Sequence, residues 1–220
     1  MVRSEDERPG SAHPVSPAAQ RTRLEQREAT RGQILAAAER FLRDHPYREL
    51  SVDTVMAATG LTRTAFYRHF DDVTDLVLRL FTDIGAELYA IGERWAASAG
   101  TGWPAPGQEG LSGMVDFYVR HGPLMRAIVE AAATDERIEQ AYQEAVEAFI
   151  ELTTRALTRM VSEQKLDVPD ARALGRAMTL MNQAYLLAEF GREPQADPTV
   201  ALATLETVWL RLAHPAPVRQ

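Results

Sequence analysis

The stretch Ser51–Phe70, SVDTVMAATGLTRTAFYRHF, decides the fold of this chain. Ser51 stands where an N-cap belongs ahead of Val52, Val55 and Met56, and Thr62 stands likewise ahead of a second helix expected over Arg63–Phe70. Between them Gly60 can take the positive φ that a tight turn between two short helices demands. Leu61 follows as an apolar plug, and Phe66 faces back into a small core. The pattern is that of a helix-turn-helix. In such a motif the N-terminal end of the second helix, here Thr62, Arg63 and Thr64, reaches base edges in the major groove. Tyr67 and His69 lie on the outer side with donors suited to phosphate oxygens, and Ser51 is a further candidate contact.

Upstream, Ile34, Leu35, Ala38, Phe41 and Leu42 recur at helical spacing in a run that starts near Leu24. It ends near Asp44, where Pro46 stops it. Residues 1–20 hold Pro9, Pro14 and Pro17 amid Ser, Ala and charge, the composition of a disordered tail. Arg21, Arg23 and Arg27, just beyond, are candidates to extend a DNA contact. Downstream, Asp71 or Asp72 caps a long helix of about Asp72–Ala99 carrying Leu76, Leu80, Ile84, Leu88, Ile91 and Trp95 on one side. Gly100, Gly102, Pro104, Pro106 and Gly107 then make a loop. Further helices are expected over about Glu109–Arg120, after Gly122-Pro123, over about Asp135–Gln164, from Pro169 to Phe190, and from Pro198 onward. Strand alternation and internal repeats are missing from the pattern. The expectation is an all-α protein of about nine helices. Its parts are a tail (1–20), a helix-turn-helix domain (21–71), a larger helical domain (72–214) and a short tail (215–220).

The formal net charge of −7 is unpromising for a DNA binder until it is divided. Residues 21–70 hold nine Arg against six Asp and Glu, whereas residues from Asp71 onward hold thirteen basic against twenty-two acidic side chains. Screening confines each field to about 10 Å, so a mildly basic head can meet phosphates while an acidic body stays off them. Acidic balance is also common in soluble proteins, so charge alone does not choose. Hydrophobic residues make up 45% of the chain, enough for a core, and aromatics only 7%, which with abundant Ala and Leu favours helices over sheets.

Cysteine is absent, which excludes disulfides, thiolate metal sites and a cysteine nucleophile. Glu5, Asp6 and Glu7 open the chain without the apolar segment of a secretory signal, and no run of 18 apolar residues exists. A cytoplasmic protein without a membrane contact is expected. His13, His45, His69, His121 and His214 show no metal-ligand spacing, and Pro46 separates His45 from Glu49. GxGxxG, P-loop and GxSxG motifs are missing. No catalytic residue, metal or cofactor is expected; a helical acid–base enzyme is the rival reading, and steady turnover would be its mark.

The run Thr62, Phe66, Tyr67, His69 and Phe70, behind a long helix and a short pair, resembles the TetR family of transcriptional regulators residue by residue. Leu180-Met181-Asn182, Phe190-Gly191-Arg192-Glu193-Pro194 and Thr207-Val208-Trp209 resemble the EthR-like branch of that family. The resemblance implies a homodimeric repressor on a palindromic double-stranded DNA operator, released by a small lipophilic effector. It assigns pairing to the last two helices. There the row Ala177, Ala184 and Ala188, with Ala173 and Leu180, suits close packing, as do Leu202, Leu205 and Leu212. The alternative is that these face the monomer core.

For the effector, the resemblance places Phe149, Thr153, Asn182 and Trp209 at a lipophilic channel. Leu88, Met114, Phe117, Tyr118, Val146 and Met178, with Tyr185 and Leu186, complete an apolar pocket between helices or are plain core. Asn182 sits in an otherwise apolar segment and needs hydrogen-bond partners if buried. Thr179 stands where relatives carry a second asparagine. The head departs from the family twice. Met56 replaces the usual Ala four residues before the turn glycine. Val73, between Asp72 and Thr74, replaces a Lys that commonly touches phosphate. Because Asp71 and Asp72 would repel the DNA backbone, a helical ligand binder with a lost DNA-binding head stays open as the second reading.

Overall fold

The computed structural model of the chain describes residues 17–98, 105–163 and 166–213, without the side chains of residues 17–19, 98, 105–108 and 212–213. The described residues form eight α-helices and one 3₁₀ turn, Tyr47–Glu49, which the periodicity did not anticipate. The helices are α1 (Pro17–Asp44), α2 (Val52–Ala57), α3 (Arg63–Phe66), α4 (Val73–Ser98), α5 (Ala105–Ala132), α6 (Glu136–Ser162), α7 (Ala171–Phe190) and α8 (Pro198–Ala213). Of the tails expected at 1–20 and 215–220, residues 1–16 and 215–220 lie outside the described residues.

Three helices build the head. Ser51 and Thr54 form a reciprocal capping box at the start of α2, and the Thr62 hydroxyl accepts from the Ala65 amide at the start of α3. Gly60 has φ 70°, as the turn requires. The Gln33 amide on α1 donates to the Thr59 carbonyl and fixes that turn against the long helix. Ile34, Leu42, Val55, Phe66, Phe70 and Leu76 close the core beneath. Met56 is buried among them, and Val73 packs against the same cluster.

Three boundaries differ from expectation, one of them at α5, which opens at Ala105 and takes in Pro106 and Gly107 of the expected loop. α1 opens at Pro17, inside the stretch read as tail. Proline is tolerated at a first helical turn, where its amide has no partner to lose, and the Arg, Gln and Glu that follow are good helix formers. α3 is helical only over Arg63–Phe66 and continues as a turn through Tyr67–His69.

In the body, α5 is the central helix and touches α1, α4, α6, α7 and α8. It is one helix where two were expected, because Gly122-Pro123 does not break it. Pro123 has no amide for the Val119 carbonyl one turn back. The Gln195 side-chain amide takes that role, donating at 3.1 Å to Val119 O and at 3.1 Å to Phe190 O near the end of α7. A Cβ at Gly122 would collide with the same Phe190 carbonyl, so the α5–α7 crossing needs glycine there. Replacing Gln195 with Ala should lower unfolding stability by about 1–2 kcal/mol in urea denaturation, with helix content unchanged by circular dichroism.

Candidate DNA-reading head and effector cavity

The outward face of the head is laid out by α3 and the turn after it. Thr62, Arg63 and Thr64 are exposed, and Tyr67 is 53% exposed. The Thr62 hydroxyl accepts its capping bond and keeps a proton to donate outward. Arg63 is not free. Its Nη1 lies 2.7 and 2.8 Å from the two Asp53 oxygens on α2, and the Tyr67 hydroxyl and Asp53 raise its pKa. Asp53 engages only Nη1, so Nε and Nη2 keep donors for a DNA contact. Ser51 is half-buried, and its hydroxyl is consumed by Thr54 within the capping box, so the geometry gives it a capping role. Sequence reading anticipated Ser51 as a cap but missed the Arg63–Asp53 pair, which joins residues whose proximity depends on the turn.

His69 is half-exposed. Burial first, and then the positive charges of Arg27 and Arg31, push its pKa below the ordinary histidine value. Arg31 also lies over the Phe70 ring at 6.0 Å. The exposed Arg23 and Arg27 thus continue from His69 along α1 as a basic edge. The acidic pair expected to repel DNA is partly neutralised. Asp72 accepts from the Asp75 amide at 2.6 Å as the cap of α4 and pairs with Arg137 on α6 at 2.8 Å.

That pair belongs to the joint between head and body. The Thr74 hydroxyl on α4 donates to Asp135 at 2.5 Å, and the other oxygen of Asp135 caps α6 through the Arg137 and Ile138 amides. On the opposite side Arg126 of α5 donates to Leu42 O at the end of α1, to Gly191 O at the end of α7, and to Glu130. His121 stands between Glu39 of α1 and Glu87 of α4, 3.9 and 3.4 Å from their carboxylates. The head is therefore tied to the body by α4, α5 and α6 together.

Those same helices enclose a cavity of about 400 Å³. Leu88, Met114, Phe117, Tyr118, Val146 and Phe149 line it, as do Thr153, Asn182 and Trp209. Asn182 is 4% exposed, and its oxygen accepts from the Trp209 indole at 3.4 Å. Thr179 donates to Thr153 at 3.2 Å, and Gln183 bonds the Tyr142 hydroxyl. Burial, with a smaller effect from Tyr142, raises the Tyr118 pKa and keeps it neutral.

Three expected wall residues do not line the cavity. Met178 and Leu186 are buried in the core, and Tyr185 packs against its edge. On α7 the cavity wall is set by Thr179, Asn182 and Gln183, whereas Met178, Tyr185 and Leu186 pack into or against the core. Sequence reading missed Trp95, Tyr142 and Gln183. Trp95 was legible only as part of an apolar stripe, and the other two matter because they bond each other across α6 and α7.

On the outside of the body, Ala173, Ala177, Ala184 and Ala188 are exposed along α7, with Leu180 39% exposed. On α8, Val200 and Val208 are exposed and Leu202 is half-buried. Leu205 corrects the expectation for this face. It is 1% exposed in the single chain, because Ala201, Leu205 and Trp209, four residues apart, form the helix face that meets the core. Leu212 lies outside the described side chains.

No described helix is long and apolar enough to cross a membrane, and the described residues hold no group of three His, Asp or Glu side chains placed to bind a metal. A short reading head on a larger helical body with an apolar cavity defines the class: a helix-turn-helix transcriptional regulator. Residues 34–80 match the model for bacterial regulatory proteins of the tetR family, and residues 108–213 match the model for the C-terminal domain of the transcriptional regulator EthR. The HTH-type transcriptional regulator EthR of Mycobacterium tuberculosis is 26% identical over 181 residues, 80% of this chain and 83% of that protein.

Among solved structures, a putative transcriptional regulator from Pseudomonas aeruginosa PAO1 has a TM-score of 0.72 at 14% identity, covering 86% of this chain and 92% of that one. SmeT in complex with triclosan has a TM-score of 0.62 at 18% identity, covering 82% and 91%. The chain belongs to the TetR family of DNA-binding transcriptional regulators, with an EthR-like C-terminal domain.

Asp135 offers a direct check on the joint. Burial alone would raise its pKa, but the bonds from Thr74 and from the Ile138 and Arg137 amides outweigh it and hold the carboxyl below its ordinary value. A depressed carboxyl adds stability above its unfolded pKa and loses it as pH falls through the folded one. Asp135→Asn should therefore be less stable than the parent near neutral pH by about 1–2 kcal/mol and approach it below about pH 3, as read from unfolding midpoints.

Proposed function

We propose that this chain is a homodimeric repressor that binds a palindromic operator and is released when a small lipophilic molecule fills the cavity of the body. The observation that carries the reading is the sharing of helices: α4 and α6 wall the cavity and are the helices clasped at the head by Thr74–Asp135 and Asp72–Arg137. A ligand that prefers a wider α4–α6 arrangement shifts the heads, and by linkage the operator weakens ligand binding equally. Tyr67, Thr62 and Thr64 meet the DNA, Arg63 does so through the nitrogens that Asp53 leaves open, and Arg23, Arg27 and His69 meet phosphates. The exposed α7 row of Ala177, Ala184 and Ala188 with Leu180, joined by Leu202 and Val208 of α8, pairs with a second copy. Two recognition elements one or more DNA turns apart then read two half-sites.

The test is a mobility shift on DNA from upstream of the chain's own gene, with random competitor and two salt concentrations. A competitor-resistant shift should weaken steeply with salt and be lost in Tyr67→Ala. Absence of any shift there and in a random-sequence selection would contradict the reading and leave a helical ligand binder.

The same assay carries a pH prediction. Phosphate beside His69 opposes the influence of Arg27 and Arg31, so its pKa rises on binding and binding takes up a proton. Operator affinity should increase as pH falls from about 8 to about 6, and His69→Gln should flatten that slope.

A further inference from the structure

We propose that the cavity selects a lipophilic cation, an apolar amine or ammonium whose charged end rests at the cavity mouth beside Glu144. This rests on reading the cavity as the effector site and names the chemistry of its ligand.

The mouth is identified by exposure. Among the lining residues Thr82 and Tyr89 of α4 and Glu144 of α6 are exposed, while the others are buried or half-buried. Gly85 on α4 faces open space there, with nothing within 4 Å of where a Cβ would stand. The opening therefore lies between α4 and α6.

The charge of the lining is one-sided. Among the described lining residues Glu144 is the single carboxylate, and none is Lys, Arg or His. Glu144 accepts one bond from Gln140 at 3.0 Å and has no ion pair among the described residues, in contrast to Glu147 one turn on, which pairs with Arg172. Its charge is thus uncompensated at the rim.

The interior suits a cation and not an anion. The chain has seven Phe, six Tyr and three Trp, and eight of these sixteen rings line this one cavity. Trp95 and Trp209 meet edge to face at 5.3 Å, and Tyr89 and Phe149 at 6.0 Å. Ring faces attract a desolvated cation and repel an anion. The remaining polar groups of Asn182, Gln183, Thr153 and Thr179 are largely bonded to one another or to Trp209 and Tyr142, and supply no positive charge. A buried carboxylate would lack a counter-charge, which is strongly disfavoured. The acidic body also raises the local concentration of cations before they enter.

A matched series separates the possibilities: 4-butylbenzylamine, 4-butylbenzyl alcohol and 4-butylbenzoate, titrated into the full chain by calorimetry near neutral pH. The amine should bind about three- to tenfold tighter than the alcohol, and the benzoate weakest. Glu144→Gln should erase the advantage of the amine over the alcohol. Gly85→Trp, whose Cβ meets nothing within 4 Å and whose ring fills the mouth, should block all three.

Benzoate binding as tightly as the amine, or an amine preference that survives Glu144→Gln, overturns the proposal. Equal binding of amine and alcohol, both blocked by Gly85→Trp, overturns the cation proposal while the cavity stands as the effector site. Binding of none of the three, or binding untouched by Gly85→Trp, contradicts both.

Discussion

Asp135 holds two helices at once. One of its oxygens caps the N-terminus of α6, and the other accepts the hydroxyl of Thr74 in the first turn of α4. Arg137 completes the contact by pairing with Asp72, the residue that caps α4. Each helix start would otherwise leave unsatisfied amides, and here an aspartate side chain accepts from them in each case. Here the two caps are made to depend on each other. The beginning of α4 is also the end of the reading head, so the orientation of the head is tied to the position of α6. The cavity lies farther along the same pair of helices, and in the proposed account what fills it acts on the joint through them.

The head was legible almost entirely from local chemistry. Ser51, Gly60, Thr62 and Phe66 each do what their residue types suggest, because caps, turn glycines and buried aromatics are decided within a few residues. The cavity was legible in part: Phe117, Phe149, Thr153, Asn182 and Trp209 do line it. The reading failed where long-range pairing overrides local preference. Pro123 should have ended a helix, yet Gln195, far along the chain, takes over the carbonyl that proline leaves unpaired. Leu205 looked like a face for another subunit and is core instead, because an apolar stripe does not say what it meets. The pairing of Arg63 with Asp53 was likewise not legible, because the two meet only across the turn.

Charge is organised by region in this molecule. Arg23, Arg27 and Arg31 line the edge of the head near His69, while the body is acidic. Where relatives carry a phosphate-binding lysine, this chain has Val73 packed against the core and an aspartate already engaged by Arg137. DNA affinity in the proposed account therefore comes from α1 and the turn after α3, with little from the start of α4. The departure at Val73 fits that account, in which the start of α4 is given over to the joint and phosphate contact falls to the arginines of α1.

The central claim is that the state of the cavity sets the spacing of the two heads. The chain has no cysteine, so a single Asp44→Cys substitution on the exposed end of α1 gives one spin label per head. Pulsed electron resonance on the dimer can then compare the label-to-label distance with operator bound and with saturating 4-butylbenzylamine or 4-butylbenzyl alcohol, whichever binds the tighter. The account predicts a narrow distribution on operator and a displaced one with the small molecule, away from the spacing of successive major grooves, about 34 Å. Identical distributions in the two states, with the cavity demonstrably filled, would contradict it.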